Sequence, residues 1–331
     1  MELRLPDRIK FMLLGAGNQA RFTLTKLPSV FKSSCLISNG EWDKSWSAAS
    51  DETIFDIAQN LGIVSVDAGS YNEVIEFIQR EKPNVCLTVG SKWIFKADFL
   101  DHFEGRVFNY HPSNLPRHRG GGVYSWQILN DATDACVSIH QMVDKVDAGP
   151  IALQRNQFVS YRPTPEVFGR VCEELAQETI VEFLEVLNDH QGKHIELTDQ
   201  DEKQSSYFPL LKSAVNGAID FNWEIDDLEK FIRAFSYPYP GAFTVYRKKT
   251  IHILEADILD REHFHPFCYG LVIAVLDNGD VRLACRGGSL RVRRVKHDEK
   301  FYSPADILKT GYRMWTPIEA LDKSRRYRPR P

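Results

Sequence analysis

Residues 84–111 read NVCLTVGSKWIFKADFLDHFEGRVFNYH, and the two apolar runs that bracket this stretch decide the fold. NVCLTVG (Asn84 to Gly90) and VFNYH (Val107 to His111) are rich in β-branched and aromatic residues and apolar at consecutive positions, as a strand reads when both its faces are covered. Upstream, helical periodicity runs from Tyr71 to Arg80 and stops before Pro83. It recurs from Glu52 to Leu61, with a short apolar run at Cys35 to Ser38 ahead of it. Arg8 to Gly15 reads as a further strand ending in GAGNQA, and the LTKLPSVF that follows fits a helix start only if it breaks at Pro28. Downstream, CVSIHQMV (Cys136 to Val143) alternates like a strand and Thr164 to Asn188 is a long helix. Strands alternating with helices predict an α/β fold with a Rossmann-like parallel sheet, which binds its ligands beyond the carboxyl ends of the strands.

The run TDQDEKQSS (Thr198 to Ser206) is polar and acidic, a linker composition, and places a domain boundary near residue 205. Residues 1–204 then form a catalytic domain and 205–331 a smaller one. In the second, a short helix from Asp226 to Phe235 and a turn-rich YPYPGAF precede short β-runs broken by NG, DG and GG, which predict a small OB-like barrel. SPADILKTG reads as a closing helix with Ser303 as N-cap, Pro304 as first helical residue and Gly311 as stop. The basic tail KSRRYRPRP (Lys323 to Pro331) reads as solvated and mobile.

Apolar residues make up 43% and charged residues 26% of the 331, and no apolar run approaches the ~20 residues of a membrane span. The N-terminus MELRLPDRIK lacks the order of a signal peptide, so a cytoplasmic protein with no membrane partner is expected. Six cysteines are scattered, with no C-x-x-C pair and no zinc spacing, which predicts buried free thiols and no metal. A net charge of −4 offers no general attraction for nucleic acid.

Two stretches could carry chemistry. GAGNQA (Gly15 to Ala20) matches G-x-G-x-x-A, but the acidic residue that a dinucleotide site needs after the second strand is missing, since ISNGE puts Glu41 late and in a turn. A tight βα turn is the reading. In VFNYHPSNLPRHRGGG, strand alternation puts Asn109 and His111 on one face at the strand's end. Pro112 and Pro116 force an extended loop able to wrap a flat ligand, and Asp147 follows the next strand, so it too can reach that edge. Taken singly, each is ordinary, because a lone histidine is usually structural and Asp-x-Gly is a common turn. Their combination shifts the odds toward a site.

NYHPSNLPRHRGGGVYSWQILN followed by DKVDAG resembles the formyltransferase family that includes methionyl-tRNA formyltransferase, aminosugar N-formyltransferases and 10-formyltetrahydrofolate hydrolases and dehydrogenases. NVCLTVGSKWIF and GAIDFNWEIDDLEKFIRAFSYPYPGAF extend the resemblance from Ile9 to about Lys309. It implies 10-formyltetrahydrofolate as co-substrate, no metal, and a catalytic group of Asn109, His111 and Asp147. The folate-contacting segments would fall on Gly90, Ser91, Lys92, Trp93 and Ile94, on to Phe95, then on Asn114, Leu115, Arg117, Gly120 and Gly121, and on the stretch from Val143 to Asp147. Trp42, Trp46, Trp93 and Trp126 could stack on a base or a pterin, and only Trp93 is named as a contact.

An amine attacking a formyl carbon passes through an oxyanion, so the site needs donors aimed at that oxygen and a sink for the amine proton. Asn109 and His111 supply donors, His111 also accepts the proton, and Asp147 orients and stabilises it. tRNA-acting members of the family carry an early basic loop, whereas SNGEWDKSWSAASDET here is acidic, which speaks against tRNA. SSYFPLLKSAVNGAIDF is also more similar to aminosugar enzymes. The expected acceptor is a nucleotide-linked amino sugar. Methionyl-tRNA and a free amino acid such as an ornithine derivative are the alternatives. The family's hydrolases carry an amino-terminal regulatory domain, a non-enzymatic relative would need a broken triad, and a homodimer stays open.

Overall fold

In the computed structural model the described residues are 1–46, 52–91 and 93–328. A seven-stranded sheet organises the first part, in the order Val64–Asp67, Ser34–Ser38, Phe11–Gly15, Val85–Val89, Val107–His111, Asp134–Gln141, Ile151–Phe158. The first five run parallel, as the alternating pattern predicts. The last two are antiparallel, so the sheet is mixed. The loop 142–150 is too short for a parallel crossover, and the strand after it must therefore double back.

Successive residues of the central strands face opposite layers. Phe11 and Leu13 pack with Leu24, Leu27, Phe168 and Phe183. Met12 and Leu14 pack with Val74, Phe77, Phe99 and Phe103. The helix Pro165–Asp189 supplies much of the first layer, its buried Phe168, Val171, Leu175, Ile180, Phe183 and Leu187 falling at three- to five-residue steps. Thr164 caps it by accepting from the Val167 amide. Each fully buried side chain of that size contributes about 1.5–3 kcal/mol.

The helix after GAGNQA runs Asn18–Val30 and does not break at Pro28. In the last turn a proline forfeits a single intrahelical bond, and the buried Leu24 and Leu27 hold the face that packs on the sheet. Glu41 lies in the first turn of a helix, Gly40–Trp46, and not in a bare turn.

The second part curls an antiparallel sheet in the order Val272–Val275, Val281–Cys285, Gly288–His297, Lys249–Asp260, Ala242–Tyr246, Met314–Trp315. Register shifts along Lys249–Asp260 supply the curvature, and the two sheet ends approach at the Leu271–Arg313 bridge. The helix Ile225–Ala234 joins this part to the first: Ser125 Oγ donates to the Ala234 carbonyl (2.8 Å), and Lys230 pairs with Asp131 (2.8 Å). The closing helix starts at Pro304 as expected but ends at Ile307, well before Gly311, because the buried Leu308 turns extended, and the Ser303 hydroxyl donates to the Gly279 carbonyl in place of a cap bond. Up to Arg328 the basic tail is mostly exposed, as expected, but bonded to the fold as far as Tyr327. It enters the helix Ile318–Arg326, where Ser324 and Asn216 exchange two hydrogen bonds and Arg325 pairs with Asp220 at 2.6 Å.

All six cysteines are free, and burial pushes Cys35, Cys136, Cys172 and Cys285 up to about 12, which removes them as nucleophiles. Among the described residues no helix is long and apolar enough to cross a membrane, and no group of three or more His, Cys, Asp or Glu could hold a metal ion.

Candidate active site

Asn109 and His111 end a strand in the middle of the sheet, and register sets their neighbours: Thr88 lies opposite Asn109 on one side and His140 on the other. The Thr88 hydroxyl donates to Asn109 Oδ1 at 2.6 Å, which turns the amide so that Nδ2 faces His140 Nε2 at 3.2 Å. His140 Nδ1 lies 2.9 Å from the Gln141 carbonyl, so it carries the proton and leaves Nε2 as acceptor in the neutral ring. One Nδ2 hydrogen of Asn109 remains for a ligand.

His111 is 5% exposed. Its Nε2 lies 2.9 Å from the His118 carbonyl and must therefore bear the hydrogen, which leaves Nδ1 unprotonated and 3.7 Å from Asp147 Oδ2. Burial lowers the pKa of His111 against the opposing pull of Asp147, so the ring is neutral at neutral pH. Asp147 is reached through the loop 142–150. Its Oδ2 accepts from the Gly120 amide at 2.8 Å, and its Oδ1 lies 3.4 Å from His140 Nε2. Burial pushes this carboxyl up, but the charge that His111 and His140 carry in their protonated forms, together with the Gly120 amide, outweighs it and holds Asp147 well below the usual carboxylate range. An amide donor, an unprotonated ring nitrogen and an ionised carboxylate thus converge where the sheet ends. That set can stabilise a developing oxyanion and take up a proton.

The segment read as a linker is a strap over this site. Tyr207–Phe208 pairs in parallel with Arg119–Gly120, the Ser206 hydroxyl accepts from the His118 amide (3.0 Å), and Trp126 Nε1 donates to the Pro209 carbonyl (2.8 Å). Arg119, 3% exposed, reaches Gln200 and Glu202, and with Lys145 it holds the Glu202 carboxyl down to about 2. Polar composition was misleading because these polar groups bond to the catalytic loop, not to water.

The residues that the resemblance suggests for folate are not all alike. Gly90 has a left-handed φ of 67°, Ser91 accepts from the Trp93 amide, and Trp93 packs on Trp42 with ring centres 4.4 Å apart. Ile94 and Val143 are exposed, as are Asn114 and Arg117, whereas Leu115 is buried. A side chain on Gly120 or Gly121 would collide with Phe208 or Leu210, so these glycines admit the strap. Lys92 lies outside the described residues, and so does the side chain of Trp46. Trp126 is committed to the strap.

Reading the sequence missed Thr88, His140 and Gln200, and it placed Arg119 in a ligand-wrapping loop, whereas the side chain turns to Gln200 and Glu202. His140 had one visible signal, a histidine in an alternating strand next to the one that carries Asn109 and His111. The glycine-rich turn is occupied by the protein itself: Asp43, 2% exposed, accepts from the Gly17 amide (3.1 Å) and pairs with Arg21. A carboxylate thus stands where a dinucleotide would need phosphate.

The fold is shared with known proteins. The formyl transferase pattern matches residues 44–184, and the formyl transferase C-terminal domain pattern matches residues 212–312. Among solved structures, the N-formyltransferase from Helicobacter canadensis, in complex with folinic acid and dTDP-3-aminofucose, is 19% identical with a TM-score of 0.63, over 86% of this chain and 98% of that one. WlaRD, a sugar 3N-formyl transferase in the presence of dTDP and 5-N-formyl-THF, is 18% identical with a TM-score of 0.64, over 88% and 98%. HypX from Aquifex aeolicus, in complex with tetrahydrofolic acid, is 15% identical with a TM-score of 0.59, over 91% of this chain and 47% of that one. At these identities the likeness is one of fold. The two patterns together match most of the sequence, and the chain belongs to the formyl transferase family of enzymes.

Proposed function

We propose that this enzyme transfers the formyl group of 10-formyltetrahydrofolate to the amino group of a nucleotide-linked amino sugar. The observation that carries the reaction is the convergence of Asn109 Nδ2, His111 Nδ1 and Asp147 at the sheet end. The amine attacks the formyl carbon, and the resulting oxyanion is held by the Asn109 amide. The amine proton passes to His111 Nδ1, where the ring's new charge faces Asp147. The C–N bond to the folate then breaks, its nitrogen regains a proton, and His111 is neutral again. Ile94, Val143 and Val146 are the exposed apolar side chains that the two folate-side loops would offer a flat ring.

The sugar as acceptor is supported by the ligands named for the two sugar N-formyltransferases of the same fold. Charge supports it more narrowly than the sequence suggested. Of the early acids, Asp43 is buried against Arg21 and Asp51 lies outside the described residues, which leaves Glu41 and Glu52 on the surface. We take residues 1–204 as the catalytic domain and 205–331 as an OB-like one. Six free thiols, five of them buried and Cys268 half-buried, fit a reducing, cytoplasmic setting. Nucleic acid is not the expected partner, and homodimerisation stays open.

Calorimetry with 5-formyltetrahydrofolate should show saturable binding, and no heat at high micromolar ligand would remove the co-substrate. A second assay sets dTDP- and UDP-linked amino sugars against methionyl-tRNA at one donor concentration. The sugars should react with shallow salt dependence, because a diphosphate needs only a few positioned groups, whereas tRNA recognition weakens steeply with salt. Efficient formylation of the tRNA with inert sugars would overturn the acceptor and leave the catalytic group standing.

A further inference from the structure

We infer that Gln200, in the strap between the two parts of the chain, is a positioning residue that sets Asp147 for formyl transfer. The inference rests on the role proposed for Asp147. Gln200 Nε2 donates to the carbonyls of Asp147 (2.9 Å) and Gly149 (2.6 Å). Its Oε1 accepts from Arg119 Nε (3.1 Å) and Nη2 (2.7 Å). A guanidinium has only donors, so Oε1 must face it and Nε2 must face the carbonyls, and the amide has one orientation.

The residue after Arg119 closes the ring, since the Gly120 amide donates to Asp147 Oδ2 at 2.8 Å. The carboxylate of Asp147 is thereby held by Gly120, its backbone by Gln200, and Arg119 joins the two. This matters because Asp147 has a φ of 49°, in the left-handed region that favours glycine. It also follows a run of four exposed residues, Val143, Asp144, Lys145 and Val146, which offers little packing to fix it. Gly149, the second carbonyl Gln200 holds, is pressed against the Gln141 carbonyl, where a Cβ would come within 2.0 Å. Gln200 therefore secures the descending limb of the loop at two successive points. Displacing a reacting group by about 1 Å costs on the order of a hundredfold in rate.

The test is kinetic. Gln200→Met keeps length and removes both donors and the acceptor. Gln200→Glu keeps the acceptor for Arg119 and replaces the donor by an oxygen facing two carbonyls. Both should lower kcat about ten- to a hundredfold while leaving the Kd for 5-formyltetrahydrofolate near wild type, and rates are read well below a melting temperature that falls because the buried Gly149 carbonyl loses its donor. In an Asp147→Asn background, itself strongly impaired, Gln200→Met should add little, because the two act through one group. A wild-type kcat for both variants, or the same fold-loss with and without Asp147→Asn, overturns the inference. A wild-type kcat for Asp147→Asn alone removes the role of Asp147 and the inference with it, whereas a slow Asp147→Asn beside a fast Gln200→Met removes only the latter. Should Gln200→Met not fold, Gln200→Glu carries the comparison.

Discussion

His111→Ala is expected to abolish measurable turnover while leaving the melting temperature and folate affinity near wild type. The ring's Nδ1 is the neutral nitrogen that faces the reacting centre, and burial keeps it unprotonated. The structural loss is small because the His118 carbonyl that His111 holds also accepts from the Ser113 hydroxyl at 3.2 Å, so no buried acceptor is stranded. In the parent enzyme the acid limb of kcat/KM should follow from the same burial. The Asp147 carboxylate and the His140 and His118 groups face His111, and their net effect with desolvation is to lower it. A lowered base stays unprotonated further into acid, so the limb should lie below the ordinary histidine value of about 6.5. A His111→Ala enzyme with wild-type rate would remove the proton acceptor from the mechanism, and a limb above neutrality would remove the neutral ring.

Asn109→Ala is expected to lower kcat about a hundred- to thousandfold, the usual cost of one oxyanion donor. The effect should fall on kcat and kcat/KM alike, because the amide meets charge that exists only in the transition state. Thr88 loses its partner at 2.6 Å but retains the Phe108 carbonyl at 3.3 Å, and the fold should hold. Steady-state rates at saturating donor, read beside a thermal melt, decide this. A loss confined to KM would show that Asn109 binds substrate without stabilising the oxyanion.

Local pattern carried much of this protein. Val107–His111 is a strand exactly where apolar continuity places it, and Asn109 and His111 share a face because strands alternate. Ile151–Phe158 escaped notice because it is an edge strand, and IALQRNQF is half-buried at its start and exposed through the rest. Val64–Asp67 is the opposite edge, short and nowhere fully buried, with no apolar run to announce it. Periodicity cannot show that His140 pairs with Asn109, since that is a matter of register between strands. Gln200 is further out of reach, for its contact with Asp147 crosses a segment whose polar composition suggests a tether.

That segment also sets how small a working enzyme can be. Composition would cut the chain at 204, yet the amide and backbone of the catalytic loop at His118, Arg119 and Gly121 bond to Ser206 and Phe208 beyond the cut. Trp126 bonds to Pro209 in the same way. A chain shortened at 204 keeps Asn109, His111 and Asp147 and loses the brace that orders the loop between them. The least fragment with an intact catalytic loop therefore reaches past Pro209, and a protease that nicks the strap would silence the enzyme without touching a residue that meets substrate.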